Sequence, residues 1–368
     1  MNLSEQAQQL TDKVVENNHW RQRQCFNLIP SENTSSLLVK AMEICDPCGR
    51  YAEHRTMKGK EVYFYQGIDF IRDVEEQVRE QMRIHFGCPN VELRPVSGQM
   101  ANEIVFKAIV AHKNRDRAAG EPFRRIRSVL NNDLTMGGHL SSQPMGALFN
   151  CVEFREDGKE NVTNFPVCKD NPYKTDTAAL GDLLEELKPE LIIFGKSMFI
   201  YREPVRFVCD IIADWDPKPI VMYDMAHVLG LYGAFQEPLS EGTDIVTGTT
   251  HKTFFGPQRG IILSNIDRGT PLSKLWTDIE NRAFPGSTSN HHLGTLLALQ
   301  MAAYEMNAFK DEYQNRVCRN ARAWAASLKE AGLDVQGDPA EGYTETHQVL
   351  LRVSEHGAGD EIARRLEE

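Results

Sequence analysis

Pro219-Ile-Val-Met-Tyr-Asp-Met-Ala-His227 runs through an unbroken apolar stretch, 219–223, and stops at a carboxylate. A short apolar run bounded by turn residues reads as a strand buried on both faces. A carboxylate at its end is costly to bury unless it meets a cation. Further along, the apolar pair Ile245-Val246 leads into Thr249-Thr-His-Lys-Thr253, so Lys252 stands at the end of another buried strand. Similar strand-like segments occur at 126–130, 191–195 and 260–264, and helical patterns fill 176–187 and 204–214. Alternation of this kind predicts an α/β fold with a largely parallel sheet.

Upstream, Ile71, Val74, Val78, Met82 and Phe86 recur at helical spacing, predicting a helix over 71–85. Val91-Glu-Leu-Arg-Pro reads as a strand into the turn Ser97-Gly98, followed by a helix over 101–111. Residues 4–24 read as a helix with Ser4 as its N-cap. The pattern turns helical again over 293–331, and 346–353 is a strand candidate in a second domain. The expected organisation is a helical arm over 1–50, a large α/β domain over 51–285 and a smaller α+β domain over 286–368. The last of these stops within a helix at Arg364-Arg-Leu-Glu-Glu368 and reads as incomplete.

The chain has 368 residues, with 41 Lys and Arg against 52 Asp and Glu, a net charge of −11. That balance argues against nucleic acid or an anionic membrane as the main partner, because both select basic surfaces. Mean hydropathy is −0.43. No apolar run approaches the roughly 18 residues of a membrane span. The N-terminus is polar and acidic rather than leader-like, so the expected compartment is the cytoplasm. Eight scattered cysteines do not form a secreted disulfide framework. Cys45 and Cys48 make a lone C-x-x-C without a second ligand pair, and no metal is expected.

In a doubly wound sheet, ligands sit at the carboxyl ends of the strands. The residues there are Ser97-Gly98-Gln99, Gly138-His139, Ser197, Asp224 to His227, and Thr249 to Lys252. A turn entering a helix offers backbone N–H groups to a phosphate. A desolvated lysine can form a Schiff base, and a buried carboxylate can hold a protonated pyridine nitrogen. An S-G turn, a lone His or a single Lys is usually structural. Together they fit pyridoxal 5′-phosphate.

The segments that carry these residues resemble the serine hydroxymethyltransferase family of fold-type I pyridoxal phosphate enzymes. Leu28-Ile-Pro-Ser-Glu-Asn33, Gly49-Arg-Tyr-Ala-Glu53, Tyr63-Phe-Tyr-Gln-Gly67 and Pro95-Val-Ser-Gly-Gln-Met-Ala-Asn102 resemble its motifs. Gly137-Gly-His-Leu140, Tyr223-Asp-Met-Ala-His227 and Thr249-Thr-His-Lys-Thr253 match almost letter for letter. The resemblance implies that Lys252 carries the cofactor as an internal aldimine, Asp224 binds the pyridine nitrogen and His139 stacks on the ring. It places Ser197 and His227 near the phenolic oxygen, and Ser97, Gly98 and Gln99 at the phosphate, with Thr249 and His251 flanking the lysine. Ser31 matches a contact to the substrate carboxylate. Glu53 matches a proton-managing glutamate, and Tyr51 and Tyr65 match tyrosines that reach the site in part from a neighbouring subunit.

The implied chemistry is cleavage and transfer at the Cα–Cβ bond of β-hydroxy amino acids through a glycine quinonoid, with tetrahydrofolate as a co-substrate of the hydroxymethyl branch. Three departures bear on the substrate. Gln258 stands where an arginine is expected, the segment Phe284 to His292 loses a double glycine, and Glu345-Thr-His-Gln-Val349 replaces T-D-N-H. These changes resemble the L-threonine transaldolase branch, where the acceptor is another aldehyde, whereas Glu53 favours hydroxymethyl transfer. An oxidative decarboxylase and a catalytically silent protein of the same fold are further alternatives. The resemblance also implies a homodimer or homotetramer.

Overall fold

The structure is a computed structural model and describes residues 2–57, 60–267, 269–270 and 272–367. It divides into two units, 1–32 and 33–368. In the first, α1 (Leu3–His19) is capped by Asn2 rather than by Ser4. The Asn2 side chain accepts from Glu5 N, and Asn2 N donates back to the Glu5 carboxylate, a reciprocal capping box. That pair outcompetes Ser4 because it satisfies two groups at once.

The second unit opens with α2 (Leu37–Glu43), an antiparallel pair β1 (His54–Met57) and β2 (Lys60–Tyr63), α3 (Asp69–Phe86), β3 (Asn90–Glu92) and α4 (Gly98–Lys113). Next come β4 (Val129–Asn131), β5 (Val162–Asn164), α5 (Thr177–Leu187), β6 (Leu191–Gly195), α6 (Val205–Ile211) and β7 (Ile220–Asp224). They are followed by α7 (Pro238–Glu241), β8 (Ile245–Thr249), β9 (Gly260–Ser264) and α8 (Ser273–Asn281). The long α9 (Leu293–Glu330), β10 (Asp334–Val335), β11 (Leu351–Arg352) and α10 (Gly359–Glu367) complete it. Glu368, the last residue of the sequence, lies outside the described residues.

Among the described residues the main sheet has seven strands in the order β3-β9-β8-β7-β6-β4-β5. Only β9 runs against the rest, pairing antiparallel with both β3 and β8. The remaining pairs are parallel. Side-chain alternation separates two apolar layers. Ile192, Phe194, Val221 and Tyr223 pack on one face with Val78 of α3, Leu180 of α5 and Leu299 of α9. Leu191, Ile193, Ile220 and Met222 pack on the other with Ile104 of α4 and Leu275 of α8. Every residue of β6, β7 and β8 is buried, which is why β6 and the 219–223 run of β7 read as continuous apolar stretches rather than as alternation.

One expectation needs correction. The stretch 346–353 supplies only Leu351 and Arg352 to a strand, paired with β10. Residues 344–348 instead fasten to the segment after β6: Thr346 Oγ1 donates to Phe199 O (2.5 Å), Gln348 Nε2 to Ser197 O (2.8 Å) and Phe199 N to Gln348 Oε1 (2.6 Å). After Asp224 the chain leaves β7 through a tight turn into a single short helical turn at Leu229–Leu231.

Candidate active site

Because β3, β4, β6, β7 and β8 run the same way, their carboxyl ends lie along one edge of the sheet. Asp224 ends β7 and is 1% exposed. Its Oδ2 accepts from Asn102 Nδ2 (2.7 Å) and Ser142 Oγ (3.2 Å) and lies 2.5 Å from His139 Nδ1. Oδ1 accepts from Ala226 N (3.0 Å). Burial alone would raise this carboxyl, but His139, Asn102 and the Ala226 N–H hold it well below the usual carboxylate range. The result is a fixed, buried negative charge with acceptor capacity left on Oδ1.

Lys252 lies beyond β8, with its Nζ 3.1 Å from His227 Nε2. Burial lowers the ammonium of Lys252, opposed by the charge of Asp224. Burial, then Lys252, then His139 push His227 down to about 3, so its imidazole stays neutral. His251 is lowered by burial and by Lys252. The backbone around the lysine is tied down. Asn33 Nδ2 donates to Lys252 O (2.8 Å), Tyr313 OH to Thr253 O (2.7 Å) and Thr253 Oγ1 to His227 O (3.1 Å). Thr249 Oγ1 donates to Ala226 O (2.8 Å), locking β8 to the turn after Asp224.

His139 reaches the site from a glycine turn. Gly137 has a φ of +91°, and a Cβ on Gly138 would lie 2.4 Å from Asn132 O. Both positions therefore require glycine. His139 N donates to Gly195 O (2.9 Å), and its ring meets that of His227 edge-on at 5.2 Å. Ser197 N donates to Gly137 O (2.7 Å). Ser97 caps α4, accepting from Met100 N (3.2 Å), and Gly98 opens the helix with Gln99 exposed beside it.

This set fits pyridoxal phosphate on its own geometry. His227 Nδ1 and His251 Nδ1 are buried without a protein partner among the described residues. Lys252 faces a neutral imidazole, and an ionised carboxylate waits at a strand end. Buried polar atoms left open in this way are expected where a polar ligand belongs.

Tyr51, Glu53 and Tyr65 form a second cluster. The two tyrosine rings stack at 5.4 Å, and the bond from the Tyr65 hydroxyl to Glu53 raises the phenol. Ser31 lies in a turn of the first unit, closed by Glu32 N donating to Ile29 O (3.1 Å).

Asn102 and Gln348 lie within the family-like motifs without a role that their sequence context assigns, and nothing in the sequence marks Ser142. Spacing held the signal for Asn102, which sits one helical turn after Gly98 on the buried face of α4. At the altered glycine-rich segment, Gln258 is exposed and the next residue, Arg259, is fully buried. Arg259 donates to His291 O (2.6 Å), His292 O (3.0 Å) and Thr295 Oγ1 (2.8 Å). An arginine thus anchors the segment that lost its double glycine, from one position later than expected.

The serine hydroxymethyltransferase family model matches residues 3–367. A serine hydroxymethyltransferase of Staphylothermus marinus is 34% identical over 365 residues, 99% of this chain and 75% of that protein. One from Archaeoglobus fulgidus is 35% identical over 359 residues, 96% of this chain and 74% of that protein. Among solved structures, the crystal structure of L-threonine transaldolase from Pseudomonas fluorescens in its internal aldimine state matches with a TM-score of 0.78 and 26% identity. The match covers 96% of this chain and 74% of that one.

Proposed function

Because the chain belongs to the serine hydroxymethyltransferase family, we propose that it breaks and remakes the Cα–Cβ bond of β-hydroxy amino acids with pyridoxal phosphate held at Lys252. The observation that carries this reading is the meeting of Lys252, His227, His139 and Asp224 at one sheet edge. When bound, pyridoxal phosphate supplies an electron sink for the pair left on Cα.

The chain's own residues do the rest. Asp224, held ionised, would hold the ring nitrogen of the cofactor in its protonated form. Burial lowers the Lys252 ammonium, which favours the nucleophilic amine. His227 stays neutral and presents Nε2 to Lys252 Nζ without adding charge. Ser97, Gly98 and Gln99 would hold the phosphate at the start of α4, Ser197 the phenolic oxygen, and Thr249 and His251 the flanks of the lysine. Glu53 would take the proton of the substrate hydroxyl, with Tyr65 orienting its carboxylate and Tyr51 stacked behind. Ser31 would meet the substrate carboxylate.

The test is formation of glycine from L-serine with tetrahydrofolate by the pyridoxal phosphate-loaded protein. No glycine from any β-hydroxy amino acid would refute the reading. Likeness to a threonine transaldolase structure, together with Gln258 and the Ser287–His292 segment, supports a second reading. In that case L-threonine and an added aldehyde release acetaldehyde without folate.

The exposure of Tyr51 (51%) and Tyr65 (42%) supports a homodimer or tetramer in which each chain completes its neighbour's site together with residues 286–292. A sedimentation profile showing a fully active monomer would exclude it. We keep the boundaries 51–285 and 286–368 for the large and small domains as part of the same reading. A cytoplasmic location, checked by fractionation, accords with the acidic composition. No helix among the described residues is long and apolar enough to cross a membrane.

A further inference from the structure

Two of the groups that contact the Asp224 carboxylate are readily understood, the N–H of its own turn and the neighbouring imidazole of His139. Asn102 comes from a different layer. Asn102 lies in the second turn of α4, is 1% exposed and aims its amide at Asp224 across the sheet edge. Its Nδ2 donates to Asp224 Oδ2 (2.7 Å) and to Ser141 Oγ (2.7 Å), while its Oδ1 accepts from Thr247 Oγ1 (2.6 Å). An ionised carboxylate only accepts, so the nitrogen of the amide must face Asp224.

A satisfied buried asparagine is commonly just part of a core. Here two features go further. First, with His139 and Ser142 on the same oxygen, Asn102 loads Oδ2 and leaves Oδ1 with Ala226 N. The terminal torsion of an aspartate is soft, and this uneven loading fixes it. Second, α4 and β8 meet twice, one helical turn apart. Gly98 lies against Thr249, where an added Cβ would come within 2.3 Å of Thr249 Cγ2, and Asn102 bonds to Thr247. Four helical residues rise about 6 Å and two strand residues about 6.6 Å, so the two contacts stay in register.

We propose that Asn102 is a positioning residue that orients the Asp224 carboxylate, leaving Oδ1 for the cofactor's ring nitrogen, so that α4 sets the phosphate end and the nitrogen end of the site together. The proposal rests on the reading that Asp224 holds the ring nitrogen. Thr247 in turn steadies Asn102 by donating to its carbonyl.

The test compares two ligands on the full-length protein freed of cofactor. One is pyridoxal phosphate, and the other is its analogue with a ring C–H in place of the nitrogen. Affinities are measured by titration for wild type, Asn102→Ala and Thr247→Val, with melting curves to confirm folding. Wild type should prefer the nitrogen ligand. Asn102→Ala should shrink that preference by roughly tenfold, the scale of a lost hydrogen bond to a charged group. Thr247→Val should shrink it by less.

A purely structural role for Asn102 would weaken both ligands equally and leave the preference intact, which would overturn the proposal. If Asn102→Ala fails to fold, Thr247→Val decides alone, and an unchanged preference there is equally fatal. Absence of any preference in wild type would instead remove the reading of Asp224, and the proposal with it.

Discussion

The Lys252–Asp224 pole and the Tyr51–Glu53–Tyr65 cluster are built in opposite ways. Asp224 is 1% exposed and each of its oxygens is engaged, and the backbone carrying Lys252 is pinned by Asn33 and Tyr313. Tyr51 and Tyr65 stand 51% and 42% exposed and lean chiefly on each other and Glu53. The first region is finished within one chain, as preorganised electrostatics requires. The second presents an open face, suited to groups that meet a substrate or a second chain.

Removing the centre of the finished region should have the largest effect. Lys252→Ala should cut turnover by at least about a thousandfold, the scale for losing a covalent nucleophile. Borohydride reduction should then leave no cofactor mass on the peptide containing position 252. Next, Glu53→Gln should lower turnover roughly a hundredfold or more while cofactor affinity, measured by titration, stays as in wild type. Loss of cofactor binding in that variant would break the division between the two regions.

The root of the exposed cluster is itself buried. Glu75 of α3 meets His291 Nε2 (2.7 Å) and His54 Nε2 (3.6 Å) and accepts from Tyr63 OH (3.3 Å), tying the β1–β2 hairpin to the segment before α9. Burial would raise Glu75, but His291, His54 and Arg79 bring it down from 4.5 to about 2. Burial also lowers His291, opposed by its contact with Glu75. A depressed carboxyl stabilises the fold above its unfolded pKa, and that stability is lost as pH falls from about 4.5 towards about 2. The contribution is on the order of 3 kcal/mol. Glu75→Gln should flatten the acid limb of a melting-temperature profile, and an unchanged limb would contradict this assignment. The smallest effect is expected at Gln258, which is exposed. Gln258→Arg should change stability by less than about 0.5 kcal/mol in a denaturant titration.

Much of the fold was legible because buried parallel strands must be apolar throughout. The runs ending at Gly195 and Asp224 leave little other reading, and β8 showed itself through its apolar start, Ile245-Val246. The α3 helix was legible because Ile71, Val74, Val78, Met82 and Phe86 make one buried stripe. The 346–353 segment misled because its buried residues satisfy side-chain and backbone bonds to 197–200, a pattern with no periodicity. Asn102 escaped for a related reason, since its partners on β8 and β7 and in the 140s are remote in sequence. Arg259 was displaced by one residue from the position where an arginine was expected, and burial alone revealed it.

The most direct test of the central claim is exchange of the α-proton of glycine with deuterium oxide, followed by proton NMR on the pyridoxal phosphate-loaded protein. It requires only that the site stabilise charge at Cα, whichever aldehyde the enzyme takes. Exchange by wild type that Lys252→Ala abolishes is the predicted result. A protein that binds the cofactor yet exchanges no glycine proton would contradict the account.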